Sequence, residues 1–136
     1  MIYQIEMQLP KFQYGYHLIT SAIIKELLSL PKEGLLNVFI KHSSAAISIN
    51  ENADPSVRDD FKSYMNIMVP ENHPSYTHIY EGDDDMPAHI KSSLFGQSLT
   101  IPISDGRLNL GTWQGIYLYE FRKRGGSRKL VLTVYS

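Results

Sequence analysis

Residues 3 to 9 alternate, with Tyr3, Ile5, Met7 and Leu9 on one face and Gln4, Glu6 and Gln8 on the other. A period of two predicts a half-buried strand, which Pro10 is expected to end. From Thr20 the period changes. Ile23, Ile24, Leu27, Leu28 and Leu30 recur at helical spacing, with Thr20 or Ser21 as cap and Pro31 as stop. Gly34 then releases a strand through Leu36, Val38 and Ile40 that ends near His42, and a second strand runs from Ala45 to Ile49. Asn50 to Pro55 reads as a turn into a helix, with Asp54 as N-cap and Pro55 at the first helical position. Val57, Phe61, Tyr64, Met65 and Met68 give that helix an apolar face.

A polar loop follows from Pro70 to about Met86. Pro87 opens a short helix, and Gly96 closes it in the position favoured for a left-handed cap. The remainder reads as strands, Leu99–Ile103, Leu108–Phe121 and Leu130–Tyr135, joined by Asp105-Gly106 and Gly125-Gly126 turns. No repeat, linker or low-complexity segment interrupts the pattern. The expected class is α+β: largely antiparallel sheets or a sandwich, two longer helices and one short one, in one domain spanning residues 1–136.

The chain has 136 residues, 43% hydrophobic and 20% charged, enough for a core without disulfides. A formal net charge of -1 argues against a nucleic-acid binder and leaves room for a small phosphorylated ligand. The absence of cysteine excludes thiolate metal sites and thiol nucleophiles. Met1 to Gln8 carries no basic stretch or apolar run, and no segment is apolar for long enough to cross a bilayer. The expected location is cytoplasmic, with no membrane partner.

The candidate chemistry lies in Tyr76–Lys91, where His78 and His89 flank Glu81, Asp83, Asp84 and Asp85. Imidazole and carboxylate bind divalent metals and move protons near neutral pH. His89 falls in the first turn of the short helix, where the helix dipole favours a neutral ring able to ligate. Asp83 and Asp85 have a simpler explanation as acids stabilising a helix start. His42, at a strand end, is the third histidine. With a nearby glutamate, these three could form an all-histidine site or a mixed one of imidazoles and a carboxylate.

A second constellation is Gly106–Gly115, which holds Arg107, the only tryptophan, Trp113, and Gln114. Trp113 could stack on a planar ring or pack in the core, and Gln114 offers amide hydrogen bonds. Glu51, ahead of a helix start, is less well explained by turn chemistry than Asn52 or Asp54. Arg122, Lys123, Arg124, Arg128 and Lys129 read as a solvated hairpin end rather than a binding patch.

Five blocks in this order resemble the YjbQ family: His42-Ser-Ser-Ala-Ala, Asn50-Glu-Asn-Ala-Asp-Pro55, His78-x-x-Glu-Gly, Met86-Pro-Ala-His-Ile-Lys-Ser-Ser-Leu94 and Gly111-Thr-Trp-Gln-Gly-Ile116. Members of that family, formerly of unknown function, are described as secondary thiamine-phosphate synthases. The resemblance implies a homotrimer with a metal site on His42, His78 and His89, with Glu81 and Glu51 as neighbours. It also implies a weak or secondary reaction joining a pyrimidine-methyl pyrophosphate to a thiazole phosphate. On that footing His89, Glu81 and Lys91 are the expected catalytic residues. Glu51, Arg107, Trp113 and Gln114 would bind substrate, and the cofactor would be a divalent ion, zinc or magnesium. The alternative is a non-catalytic homotrimeric module that binds a metal or small metabolite.

Overall fold

A computed structural model describes residues 1–136. It contains β1 (Ile2–Lys11), β2 (Gly15–Leu18), α1 (Thr20–Glu26), β3 (Glu33–Ile40), β4 (Ala45–Glu51) and α2 (Pro55–Met68), followed by α3 (Asp85–Phe95), β5 (Ser98–Ser104), β6 (Arg107–Leu108), β7 (Gln114–Glu120) and β8 (Ser127–Tyr135). Every strand pairing is antiparallel, in a five-stranded sheet β1-β8-β3-β5-β6 and a three-stranded sheet β2-β7-β4. The class is α+β, as the alternation and hairpin signals imply.

The two sheets face each other across the main core. Leu36, Val38, Ile40, Ile101, Ile103, Leu130, Leu132 and Val134 of the larger sheet meet Ala45, Ile47, Ile116 and Leu118 of the smaller one. The smaller sheet is covered on its other face as well. There Tyr16, Ala46, Tyr117, Tyr119 and Phe121 pack on Met65 and Val69 of the α2 region and on Ala88 of α3. β7 is therefore buried on both faces, sending Ile116 and Leu118 one way and Tyr117 and Tyr119 the other. The order of layers is large sheet, small sheet, then α2 and α3. No helix is long and apolar enough to cross a membrane.

Several local features differ from the sequence reading. β1 continues through Pro10 to Lys11, because it is an edge strand and Pro10 falls in the irregularity between Gln8 and Lys11 where the ladder with β8 is already interrupted. β2 is a short strand that carries no clear alternation. α1 ends at Glu26 instead of Leu30, so it is the short helix of the three and α3, with eleven residues, is longer. Only Ile23 of its stripe is buried, and Leu28 is 84% exposed. Thr20 does not cap α1; its hydroxyl accepts the N–H of Ile116 instead, at 2.8 Å. The expected strand Leu108–Phe121 is broken at residues 109–113, where the chain leaves one sheet and enters the other. Asp54 does cap α2, accepting the N–H of Ser56 at 2.9 Å.

Candidate metal centre

α3 starts at Asp85, and the helix repeat places His89 one turn later on the same face. His78, in the preceding loop, folds back onto them. Its Nε2 lies 2.6 Å from Asp85 Oδ2, and His89 Nε2 lies 3.1 Å from the same oxygen. The two imidazole rings are 5.5 Å apart, centre to centre. One ligating atom from each of His78, Asp85 and His89 falls within 4.8 Å of the others. Asp85 is 1% exposed, while the histidines are open enough to meet solvent.

The other carboxylate oxygen of Asp85 accepts from a guanidinium nitrogen of Arg122. Arg122 also donates from Nε to Asp84 Oδ2 at 3.1 Å and from Nη2 to the Glu81 carbonyl at 3.0 Å. Asp84 takes a further bond from the Lys123 N–H, at 2.8 Å. The chain just after β7 thus clamps the start of α3. Burial acts to raise the Asp85 carboxyl, but the hydrogen bond from His78 and the charges of His89 and Arg122 outweigh it and hold the group below the usual carboxylate range.

His89 is oriented from behind. Its Nδ1 lies 2.8 Å from the carbonyl oxygen of Ser43, which can only accept, so Nδ1 carries the hydrogen. In the neutral ring Nε2 is then a bare lone pair, yet it faces a carboxylate oxygen at 3.1 Å. Two acceptors at that distance need a cation between them: a proton on Nε2, or a metal ion shared by both. A histidine whose far nitrogen donates to a backbone carbonyl is the usual posture of a metal ligand.

His42 is not brought into this group. Its Nε2 accepts the backbone N–H of Lys129 at 2.9 Å, closing the β3–β8 ladder. Burial, followed by the charge of Arg128, lowers its pKa, which favours the neutral acceptor form. Asp85, read above as helix-start electrostatics, occupies the third position instead. The visible signal for it was Asp85 and His89 at i and i+4 on one helix face. Glu81 lies at the margin, its carboxylate 3.9 Å from His78 Nε2 and largely exposed.

Lys91 points elsewhere. Two residues along α3 turn it about 200° from His89, and it is buried against Tyr14 and Phe121. Its Nζ donates to the Tyr14 hydroxyl at 2.9 Å. Burial lowers its pKa from 10.5 to about 8, against the opposing charges of Glu71 and Asp84. Between these values the unfolded chain holds a proton that the native chain has released. Stability is therefore expected to rise with pH from about 8 toward 9.5, by at most about 1.4 kcal/mol per unit. Above that, Tyr14, Tyr16, Tyr117 and Tyr119, all raised by burial, reverse the slope. Urea unfolding across this range should show the rise in the native protein and not in Lys91→Met.

Of the expected substrate-binding residues, Glu51, Trp113 and Gln114 lie at the far end of the small sheet. Glu51 pairs with Gln114 in the β4–β7 ladder, six residues from Ala45 and hence about 20 Å along the strand. The Glu51 carboxylate caps its own turn, accepting the N–H groups of Ala53 at 3.0 Å and Asp54 at 2.9 Å. Gln114 Oε1 accepts the Gly111 N–H. Trp113 is 65% exposed, so it is not a core tryptophan. Arg107 stands on β6 of the other sheet and lines a cavity of about 350 Å³ with Ile24, Leu30, Leu108 and Leu110. Within one chain these residues form no common site with the histidines.

A model of the family described as UPF0047 protein YjbQ-like matches residues 4–136. The YjbQ protein of Escherichia coli O157:H7 is 46% identical over 98% of both chains, and that of Salmonella typhimurium is 48% identical over the same shares. An uncharacterized conserved protein of the yjbq/upf0047 family from Clostridium acetobutylicum has a similar solved structure. It shows a TM-score of 0.80 and 36% identity, covering 96% of this chain and 99% of that one. A YbjQ-like protein of unknown function from Sulfolobus solfataricus shares the fold, at a TM-score of 0.83 and 24% identity over 98% and 96% of the two chains. With a match that runs almost end to end in both sequence and fold, the chain belongs to the UPF0047 YjbQ-like family.

Proposed function

We propose that His78, Asp85 and His89 hold a divalent metal and that the protein uses it on a small phosphorylated metabolite. The observation that carries this reading is the facing pair of acceptors, His89 Nε2 and Asp85 Oδ2, with His78 Nε2 converging on the same oxygen. Two imidazoles and one carboxylate leave coordination positions open and suit zinc or a similar transition ion better than magnesium, which prefers an all-oxygen shell. Such an ion, when bound, supplies Lewis-acid polarisation of a phosphoryl oxygen or an activated water. The chain's own part is to fix the donors. Ser43 sets the ring of His89, Arg122 balances the second oxygen of Asp85, and Glu81 stands within one water of His78.

Within this reading, thiamine-phosphate formation from a pyrimidine-methyl pyrophosphate and a thiazole phosphate is the reaction to assay, supported by the family resemblance. Homotrimeric assembly has the same support and is read by light scattering as three chain masses. A second reading, a binding module without turnover, is favoured by one feature: the cavity beside His78 is only about 20 Å³, too small for two rings.

Elemental analysis of unchelated protein is expected to find one equivalent of metal per chain. His89→Ala is expected to lose it and, with it, any thiamine-phosphate formation, while circular dichroism stays native. Metal retained in His89→Ala would overturn the centre. One equivalent of metal with no turnover would select the binding module.

A further inference from the structure

The turn between β7 and β8 does more than clamp α3. Of the five basic residues around it, two are consumed internally: Arg122 by Asp84 and Asp85, and Arg128 by Glu120. Two of the others, Lys123 and Arg124, are exposed and share a cavity of about 330 Å³ with Lys11 of β1, Phe12, Gly125 and Gly126. No acidic residue lines it. The carboxylates that approach its backbone are already paired, Asp84 with Arg122 and Glu120 with Arg128, and Lys123 Nζ meets only Glu71, at 3.5 Å and partly exposed, an ion pair weak enough to exchange.

The backbone adds to this. None of the hydrogen bonds formed outside helices and strands uses the N–H of Arg124, Gly125 or Gly126. Gly126 has φ +75°, and the N–H groups of Arg124 and Gly126 lie outside the regular ladder. Free amides in such a turn add directed donors for an anion. Gly125 has no room for a side chain, since a Cβ there would sit 2.2 Å from Glu120 Oε1. Phe12 supplies an apolar wall, held by His17 stacked at 4.6 Å.

We propose that this cavity, bounded by Lys11, Phe12, Lys123, Arg124, Gly125 and Gly126, binds the phosphate group of a small anionic ligand. Its size, at the low end of small-molecule sites, fits a phosphate or pyrophosphate with little else attached. Three flexible cations with backbone amides give charge neutralisation and directed donors together, the combination that recognises phosphate oxygens. The assignment stands on this cavity alone and does not need the metal reading.

The test is a titration of metal-free, ¹⁵N-labelled protein with inorganic pyrophosphate, at constant ionic strength. Saturable shifts are expected in the amides of Arg124, Gly125 and Gly126, with affinity in the millimolar range or tighter. Lys11→Glu/Arg124→Glu, both at exposed positions, is expected to weaken binding about tenfold or more. Lys25→Glu, on α1, is expected to leave it unchanged, as is His89→Ala. Equal weakening by Lys25→Glu would mean diffuse charge attraction and would overturn the site. So would loss of binding in His89→Ala, or the absence of saturation by about 10 mM.

Discussion

Arg128→Met is expected to cost about 3–5 kcal/mol of stability, the cost of stranding a buried charge. Arg128 donates from Nε to Glu120 Oε1 at 2.8 Å and from Nη2 to Oε2 at 2.5 Å, and reaches the Ser44 carbonyl at 3.2 Å. The two side chains are 5% and 0% exposed. Glu120 has little else: the Arg122 N–H at 3.2 Å, and Gly125 closing it off from solvent. Without the guanidinium its carboxylate is left buried with no cationic partner. Replacing both partners, as Glu120→Leu/Arg128→Met, is expected to recover most of the loss, because the pair's attraction largely offsets its own desolvation. Urea unfolding of the three variants checks this. A single-variant loss under about 1 kcal/mol would mean that the pair is hydrated in solution.

Asp85→Asn carries the second large effect. The substitution keeps the shape of the side chain and removes the charge on which His78, His89 and Arg122 converge. On the proposed metal reading, affinity is expected to fall by about 100-fold or more, since the substitution would remove a direct ligand along with the group that orients its neighbours. Calorimetry with zinc on chelated protein gives the number, and affinity within about threefold of the native value would remove Asp85 from the ligand set. The native carboxylate also makes an acid-side prediction. Because its pKa is depressed on folding, its contribution is fully present above the unfolded value near 4 and is lost as pH falls through the lower native one. Asp85→Asn should therefore be less stable than the native protein at neutral pH, with the difference shrinking in acid.

Much of this architecture was legible in the residue pattern. The alternation of β1, the Asp54 cap of α2 and the Asp105-Gly106 hairpin each depend on local chemistry, and each formed as read. β2 and the break at 109–113 were not legible, since both are decided by how one sheet passes its chain to the other. The same division runs through the site. His78 and His89 share one segment and meet the same carboxylate oxygen, whereas Asp85 was masked by an adequate local explanation. His42 sat at a strand end, and a strand end does not reveal which way its ring will turn. Arg122 read as part of a solvated hairpin end and instead clamps α3, because its partners lie 37 and 38 residues earlier in the chain.

That separation has a kinetic meaning. Arg122 can reach the start of α3 only once β7 has taken its place between the two other layers. Closing a loop of that length is slow relative to forming one helix. The bracing of Asp85 by Arg122 is therefore expected to form later than α3 itself. A metal that requires the braced arrangement is then expected to slow unfolding more than it speeds folding, which stopped-flow unfolding with and without zinc checks.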